Sequence, residues 1–255
     1  MISAPAITPR GLAINESSAA PFDALTVAKS LLLTSNIATL CTIDPKSGFP
    51  YGIVTNLAVL PDGTPFFFVA WLAIHARNIE QDSRISIAIS EEGATDMLLR
   101  PRLTLVGHAR LMKEEEKDSA KRIYFRRFPK SKVYLTLPDA QLYRLEITDL
   151  QLSGGPARNA VSDVTPHNIL IDLSGAEALL IRLDEAIDQL NAIDGLAQSL
   201  ANRVGAKNGR WRVTGVDPEG INLASPERST RFSFSTRVLT IEDLYKETSL
   251  AKSIS

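Results

Sequence analysis

The chain is poor in the residues that most often announce a chemistry. Among 255 residues there is one cysteine, Cys41, so no internal disulfide can form. It lies in the apolar run IATLCTI and is expected to act as a buried small hydrophobe, a usage that suits the cytoplasm. There are three histidines, His75, His108 and His167, and none stands at metal-motif spacing from another His or Cys. No metal site is therefore expected. No sign of charge dominates: 28 basic side chains face 29 acidic ones, with a formal net charge of −1. That excludes a global field for nucleic acid or an anionic membrane surface. No apolar run reaches the ~18 residues that a membrane span needs. The N-terminus lacks the charged start and apolar stretch of a signal peptide. A glycine-rich phosphate loop, GxGxxG and a GxSxG elbow are all missing, which removes the common nucleotide and hydrolase readings.

What is present is alternation. After a flexible arm over 1–20, Phe22, Leu25, Ala28, Leu31 and Leu32 fall at helical spacing behind Pro21, and predict a helix to Leu33. Strands follow over 37–43, 51–60, 66–69, 85–89, 102–111 and 141–152, with turn chemistry at Asp44–Gly48 and Pro61-Asp62-Gly63. Gly107 marks a bulge or a close approach. A helix over 114–128 is acidic first and basic last, as its dipole favours, and Pro129 ends it. Six strands joined mostly by tight turns predict an antiparallel barrel over 21–160. Residues 161–176 read as a linker. Helices over 177–190 and 196–204, three short strands and a helix from Thr240 to about Tyr245 predict a small α+β unit over 177–250.

The stretch from Phe68 to Ser90 carries the clearest polar cluster: His75, Arg77 and Asn78 at the start of a short helix between two strands. Free backbone N–H groups with such side chains suit an anion. Arg84 either pairs with Asp82 or reaches a phosphate. Asn56, inside a strand, has to be exposed or hold something, and Tyr51 is placed to stack on an aromatic ligand. Arg102 and His108 share a strand face, with His108 expected to be a buried neutral imidazole on a backbone partner. Asp139, Tyr143 and Arg144 are candidates for a dimer contact or pocket wall, and Trp211 for a core residue. No catalytic acid or base can be named.

The segments IATLCTIDPKSGFPYGIVTNLAVLPDGTPFFFVAWLAIHARNIEQDSRISIAI, PRLTLVGHARL and YRLEITDLQLSGGPARNA resemble the flavin-binding split β-barrel proteins related to pyridoxamine 5′-phosphate oxidase. Within that group the chain resembles the branch of split-barrel haem oxygenases and plant glutamyl-tRNA reductase-binding proteins, which often carry a small C-terminal domain. The resemblance implies a mainly β fold: an antiparallel split β-barrel of the FMN-binding type, followed by the α+β unit. It also implies a homodimer with a cofactor groove between subunits. For FMN, His75, Asn78 and Arg84 fall at the phosphate side, and Val54, Thr55 and Asn56 against the ring or ribityl chain. Ala70 and Ala76 depart from the family, which has hydroxyl residues there; each lost hydrogen bond to a charged group costs about 1.5–3 kcal/mol. No histidine stands where haem-degrading relatives place an axial ligand. Asn191 lacks the Asp-His that relatives place after it. The leading expectation is an FMN-binding oxidoreductase-like protein. Haem binding or breakdown is the alternative, and a non-enzymatic dimeric regulator or adaptor the third.

Overall fold

A computed structural model describes residues 6–7, 23–91, 93, 96–154 and 164–252. Most of the arm, Pro21 and Phe22 at the expected helix start, and the end of the barrel segment near 155–163 lie outside the described residues. The first helix, α1 (Ala24–Thr34), begins on Asp23, whose carboxylate accepts from the Thr26 amide as an N-cap. It buries Ala28, Leu31, Leu32 and Leu33 against the barrel.

The large sheet contains β1 (Ile37–Ile43), β2 (Pro50–Asn56), β3 (Ala58–Val59), β4 (Pro65–Ala70), β5 (Arg84–Ser90), β6 (Arg102–Leu111) and β7 (Ala140–Ser153). Their order is β2-β1-β5-β6-β7-β4-β3, antiparallel throughout. The expected strand over 51–60 is thus two strands. It pairs with β1 up to Asn56, turns at the fully buried Leu57, and then pairs with β4. The sheet begins and ends on one segment, and this is how it curls. The turn at Gly63, with φ +82, closes the β3–β4 hairpin by a Leu60 amide to Thr64 carbonyl bond of 2.9 Å.

Alternation decides the faces. Ala38, Leu40, Ile85, Ile87, Ile89, Leu103, Leu105 and Ala109 point inward and form the core. Gly107 lies at the expected bulge, where the register on β7 skips Thr148. A Cβ there would sit 1.9 Å from the Glu146 carbonyl oxygen, so only glycine fits. A second cluster, with Phe66, Met112, Tyr124 and Leu142, lies under α3 (Glu114–Arg127). The short helices α2 (Ile74–Gln81) and α4 (Lys132–Leu135) complete this part.

The expected linker is not loose. Val164, Ile169 and Ile171 are buried in the barrel core, and the Ile171 amide bonds the Asp62 carbonyl. Beyond it, α5 (Glu177–Ile181), α6 (Leu183–Ala192), α7 (Leu196–Arg203) and α8 (Ile241–Lys252) pack with β8 (Arg212–Asp217), β9 (Gly220–Ala224) and β10 (Ser229–Ser233). One expected helix over 177–190 is two, separated at Arg182, and the last helix runs on to Lys252. Asn191 exchanges two hydrogen bonds with the backbone of Val213, fixing α6 to β8. No helix among the described residues is long and apolar enough to cross a membrane.

A ring of hydrogen bonds joins the two units. Arg212 on β8 donates to the carbonyls of Arg126 and Arg127, at the end of α3. The buried Arg127 donates to Leu33 and Ser35 carbonyls and to Asn36 Oδ1, at the end of α1. Asn36 then donates to Ser229 on β10. Both helix ends leave carbonyls unpaired, and both are capped by a guanidinium. Burial pulls the Arg127 pKa down to about 10, which still leaves it charged at neutral pH. Arg122 and Arg126 also reach Asp184 on α6.

Candidate functional site

Three of the seven expected site residues already have side-chain partners. Asn78 is buried, and its amide donates to Thr42 Oγ1 at 3.0 Å, so it ties α2 to the inner face of β1. Asn56 donates to Tyr134 Oη at 3.2 Å and braces the point where the strand changes partners. Arg84 pairs with Asp82 through Nε and Nη2, at 2.9 and 2.5 Å. That guanidinium holds the Asp82 carboxyl down to about 2.

The others differ. Val54 is 73% exposed. Thr55 is half-buried, on the strand face it shares with Tyr51 and Ile53. Arg77 extends into solvent. His75 is half-buried, and burial lowers its pKa below the ordinary 6.5, so its imidazole is neutral. It follows three exposed apolar side chains, Trp71, Leu72 and Ile74.

One detail of β2 follows from its register. The Leu57 amide bonds the Asn36 carbonyl. Alternation from that bond makes Tyr51, Ile53 and Thr55 the residues that bond β1. Gly52, Val54 and Asn56 therefore turn their backbone groups to the open edge, where Pro50, without an N–H, is harmless.

The outer face of the barrel sheet holds what the sequence reading missed. Cys41 and His108 were expected inside. Their neighbours Leu40, Thr42, Gly107 and Ala109 are the inward ones, so both point outward and are partly exposed. The parity of RLTLVGHARL contains this answer, because its apolar residues already fill the inner face. Cys41, Ile43, Pro50, Arg84, Val106 and His108 line a cavity of about 300 Å³ on this face. Ser83 Oγ lies 2.9 Å from His108 Nδ1. This contact orients the ring and leaves Nε2 for a ligand. The described part of the arm reaches the same place: Ala6 lines the cavity, and the Ile7 amide donates to Asp149 Oδ2. Farther along, Ile37, Val54 and Met97 are exposed large apolar groups.

The remaining candidates are structural. Tyr143 is buried against Phe67, Arg144 pairs with Glu116, and the Asp139 carbonyl accepts from the Trp71 amide. Arg102 donates to Ser153 Oγ. Trp211 packs against the small core, as expected.

A curled antiparallel half-barrel followed by a small α+β unit defines a split-barrel protein. Residues 20–156 match the family model described as CREG, beta-barrel, and the chain belongs to this family. The family is related to the pyridoxamine 5′-phosphate oxidase type and to split-barrel haem-oxygenase-like proteins. A crystal structure of a protein of unknown function from Agrobacterium tumefaciens str. C58 is 45% identical. The match covers 97% of this chain and 100% of that one, with a TM-score of 0.87. The heme binding protein from Mycobacterium smegmatis is 25% identical over 92% of this chain and 98% of that one, with a TM-score of 0.54. The chloroplastic non-canonical heme oxygenase HOZ of Arabidopsis thaliana is 26% identical over 133 residues, 52% of this chain. The match spans only 40% of that curated relative's length.

Proposed function

We propose that this protein binds haem in the cavity on the outer face of the barrel, with His108 as the iron ligand. The observation that carries the reading is the donor set. An imidazole anchored through Nδ1 stands beside apolar Ile43, Pro50 and Val106, with Arg84 on the same wall. Iron takes an imidazole nitrogen, a porphyrin takes apolar walls, and a propionate takes a guanidinium. The donor types therefore suit the group; a cavity of about 300 Å³ takes only part of a porphyrin, and the rest would lie on the open face beside it. Haem, when bound, supplies redox chemistry at its iron, and the chain supplies the ligand, the charge and the exclusion of water. Two haem-related proteins among the similar chains support the same reading. Haem breakdown would be the corresponding activity.

The homodimer belongs to this proposal. The outer face presents Ile37, Val54 and Met97 to solvent, and a second copy laid on it would cover them and roof the cavity.

A flavin reading keeps one observation in its favour, the open backbone edge at Gly52, Val54 and Asn56, which suits the polar rim of a flavin ring. Its phosphate side is the weaker part. Ala70 and Ala76 bring no hydroxyl, and Asn78 already has a partner.

Absorbance titration of the purified chain with haemin and with FMN tests the proposal. A saturable Soret band at micromolar haemin, with no uptake of FMN, is expected. Uptake of FMN alone moves the assignment to the flavin edge, and uptake of neither leaves the dimeric adaptor.

A further inference from the structure

The seam between the two units holds a second candidate site, chemically unlike the first. A cavity of about 460 Å³ lies between α1 and the strand β10 with the segment that follows it. Its lining includes three cations, Lys29, Arg231 and Arg237, and one anion, Glu219. Ser30 and Ser233 add hydroxyls without partners among the described residues, and Phe234 adds a ring. The volume lies in the range of small-molecule sites.

The cations are held in different ways. Arg231 is 8% exposed and is locked against Asp217 and Asn222 by three hydrogen bonds. A guanidinium has five N–H groups, so two remain for another acceptor. Its orientation is already fixed, which lowers the entropic cost of binding. Lys29 meets both Glu219 oxygens, at 3.1 and 2.9 Å. An ammonium has a third N–H to give. Arg237 stands half-exposed, paired with the Asp172 carboxylate at 3.6 Å and donating to the Asp172 and Ser174 carbonyls.

A second seam cavity, of about 520 Å³, provides the contrast. Ser30 lines it as well, but its charged side chains are Glu91, Glu227 and Arg228, an excess of acid. Two cavities thus border α1 at one seam: the first is lined mainly by cations that each face one carboxylate (Asp217, Glu219, Asp172) and keep N–H groups to spare, the second mainly by acid. Only the first suits an anion.

We propose that the basic seam cavity binds a small molecule bearing an oxyanion, either a phosphate ester or a carboxylate. The planar, preset guanidinium of Arg231 recognises the oxyanion, Lys29 and Arg237 supply further charge, and Ser30 and Ser233 donate hydrogen bonds. A ligand there touches both units at once, so it stabilises their union. The site is independent of His108 and of haem.

The test is thermal denaturation of the haem-free chain with inorganic phosphate, adenosine monophosphate or citrate, each against sodium chloride of equal ionic strength. A saturable rise in Tm is expected with at least one probe. Phosphate and adenosine monophosphate acting without citrate identify a phosphate ester, and citrate acting alone identifies a carboxylate. Arg237→Gln and Lys29→Met should each weaken the response about tenfold or more, an effect equal to ~1.4 kcal/mol. The exposed position of Arg237 keeps its variant folded. No saturable rise with any probe, or an undiminished rise in both variants, overturns the proposal. His108→Ala must leave the response intact, which separates this site from the haem reading.

Discussion

The two sheets of this protein bury their side chains in opposite ways. In the large sheet one face is dry and the other open: β5 alternates Ile85, Ile87 and Ile89 inside with Arg84, Ser86 and Ala88 outside. In the small sheet, β9 is buried at all five of its residues, Gly220 to Ala224. Helices cover one side of that sheet and the barrel elements α1 and α3 meet the other. The difference separates roles. An open face leaves room for a ligand or a second copy, while a sheet covered on both sides acts as a wedge. The polar groups of the wedge are turned into the seam, where Asp217 and Arg231 form a buried pair.

The largest effects should come from the two places where backbones touch. Gly107→Ala would place a Cβ 1.9 Å from the Glu146 oxygen, and Gly220→Ala would place one 2.5 Å from the Phe232 oxygen. The barrel variant should lose about 4 kcal/mol or more and the small-unit variant about 2–4 kcal/mol, measured by urea unfolding. Equal losses would mean that the bulge yields more easily than its geometry implies.

Next comes the ring of arginines. Arg127→Met leaves two carbonyls and the Asn36 oxygen without their donor, at a cost of about 2–4 kcal/mol. The two tryptophans sharpen this comparison, because Trp71 reports the barrel and Trp211 the small unit. Single-tryptophan versions should unfold together in the native background and separately in Arg127→Met. If both transitions stay superimposed, the ring does not couple the units.

A smaller effect should appear with pH. Burial holds the folded pKa of His75 below 6.5, so the unfolded chain takes up a proton first as pH falls. Stability should therefore drop as pH goes from 6.5 down through the folded value. His75→Gln should flatten that slope in urea midpoints, and an unchanged slope would assign it to other groups. The smallest change belongs to the exposed pair: Arg84→Ala should leave Tm unmoved within error, and a clear fall would show that this ion pair matters more than exposed pairs do.

These contrasts also show what the sequence made legible. Alternation in IATLCTI, RISIAIS and RLTLVGHARL exposed the strands, and Gly63 and Gly107 marked a turn and a bulge, because local sterics govern both. The partner change at Leu57 was not legible, since nothing local in TNLAV says which strand each half will meet. For the site, the residue types were visible and their partners were not. Asn56 and Asn78 carry the chemistry of ligand contacts, yet Tyr134 and Thr42 take them, across distances in sequence that only the fold sets. His108 could have been placed outward by parity alone. The different linings of the two seam cavities had no counterpart in the linear pattern.

The central claim is that the open face of the barrel holds haem through His108. Its most direct measurement is a haemin titration followed in the Soret region for the native chain, His108→Ala and His75→Ala. The account predicts a saturable Soret band in the native chain and in His75→Ala, and a weakened, shifted band in His108→Ala. An unaltered band in His108→Ala would contradict it.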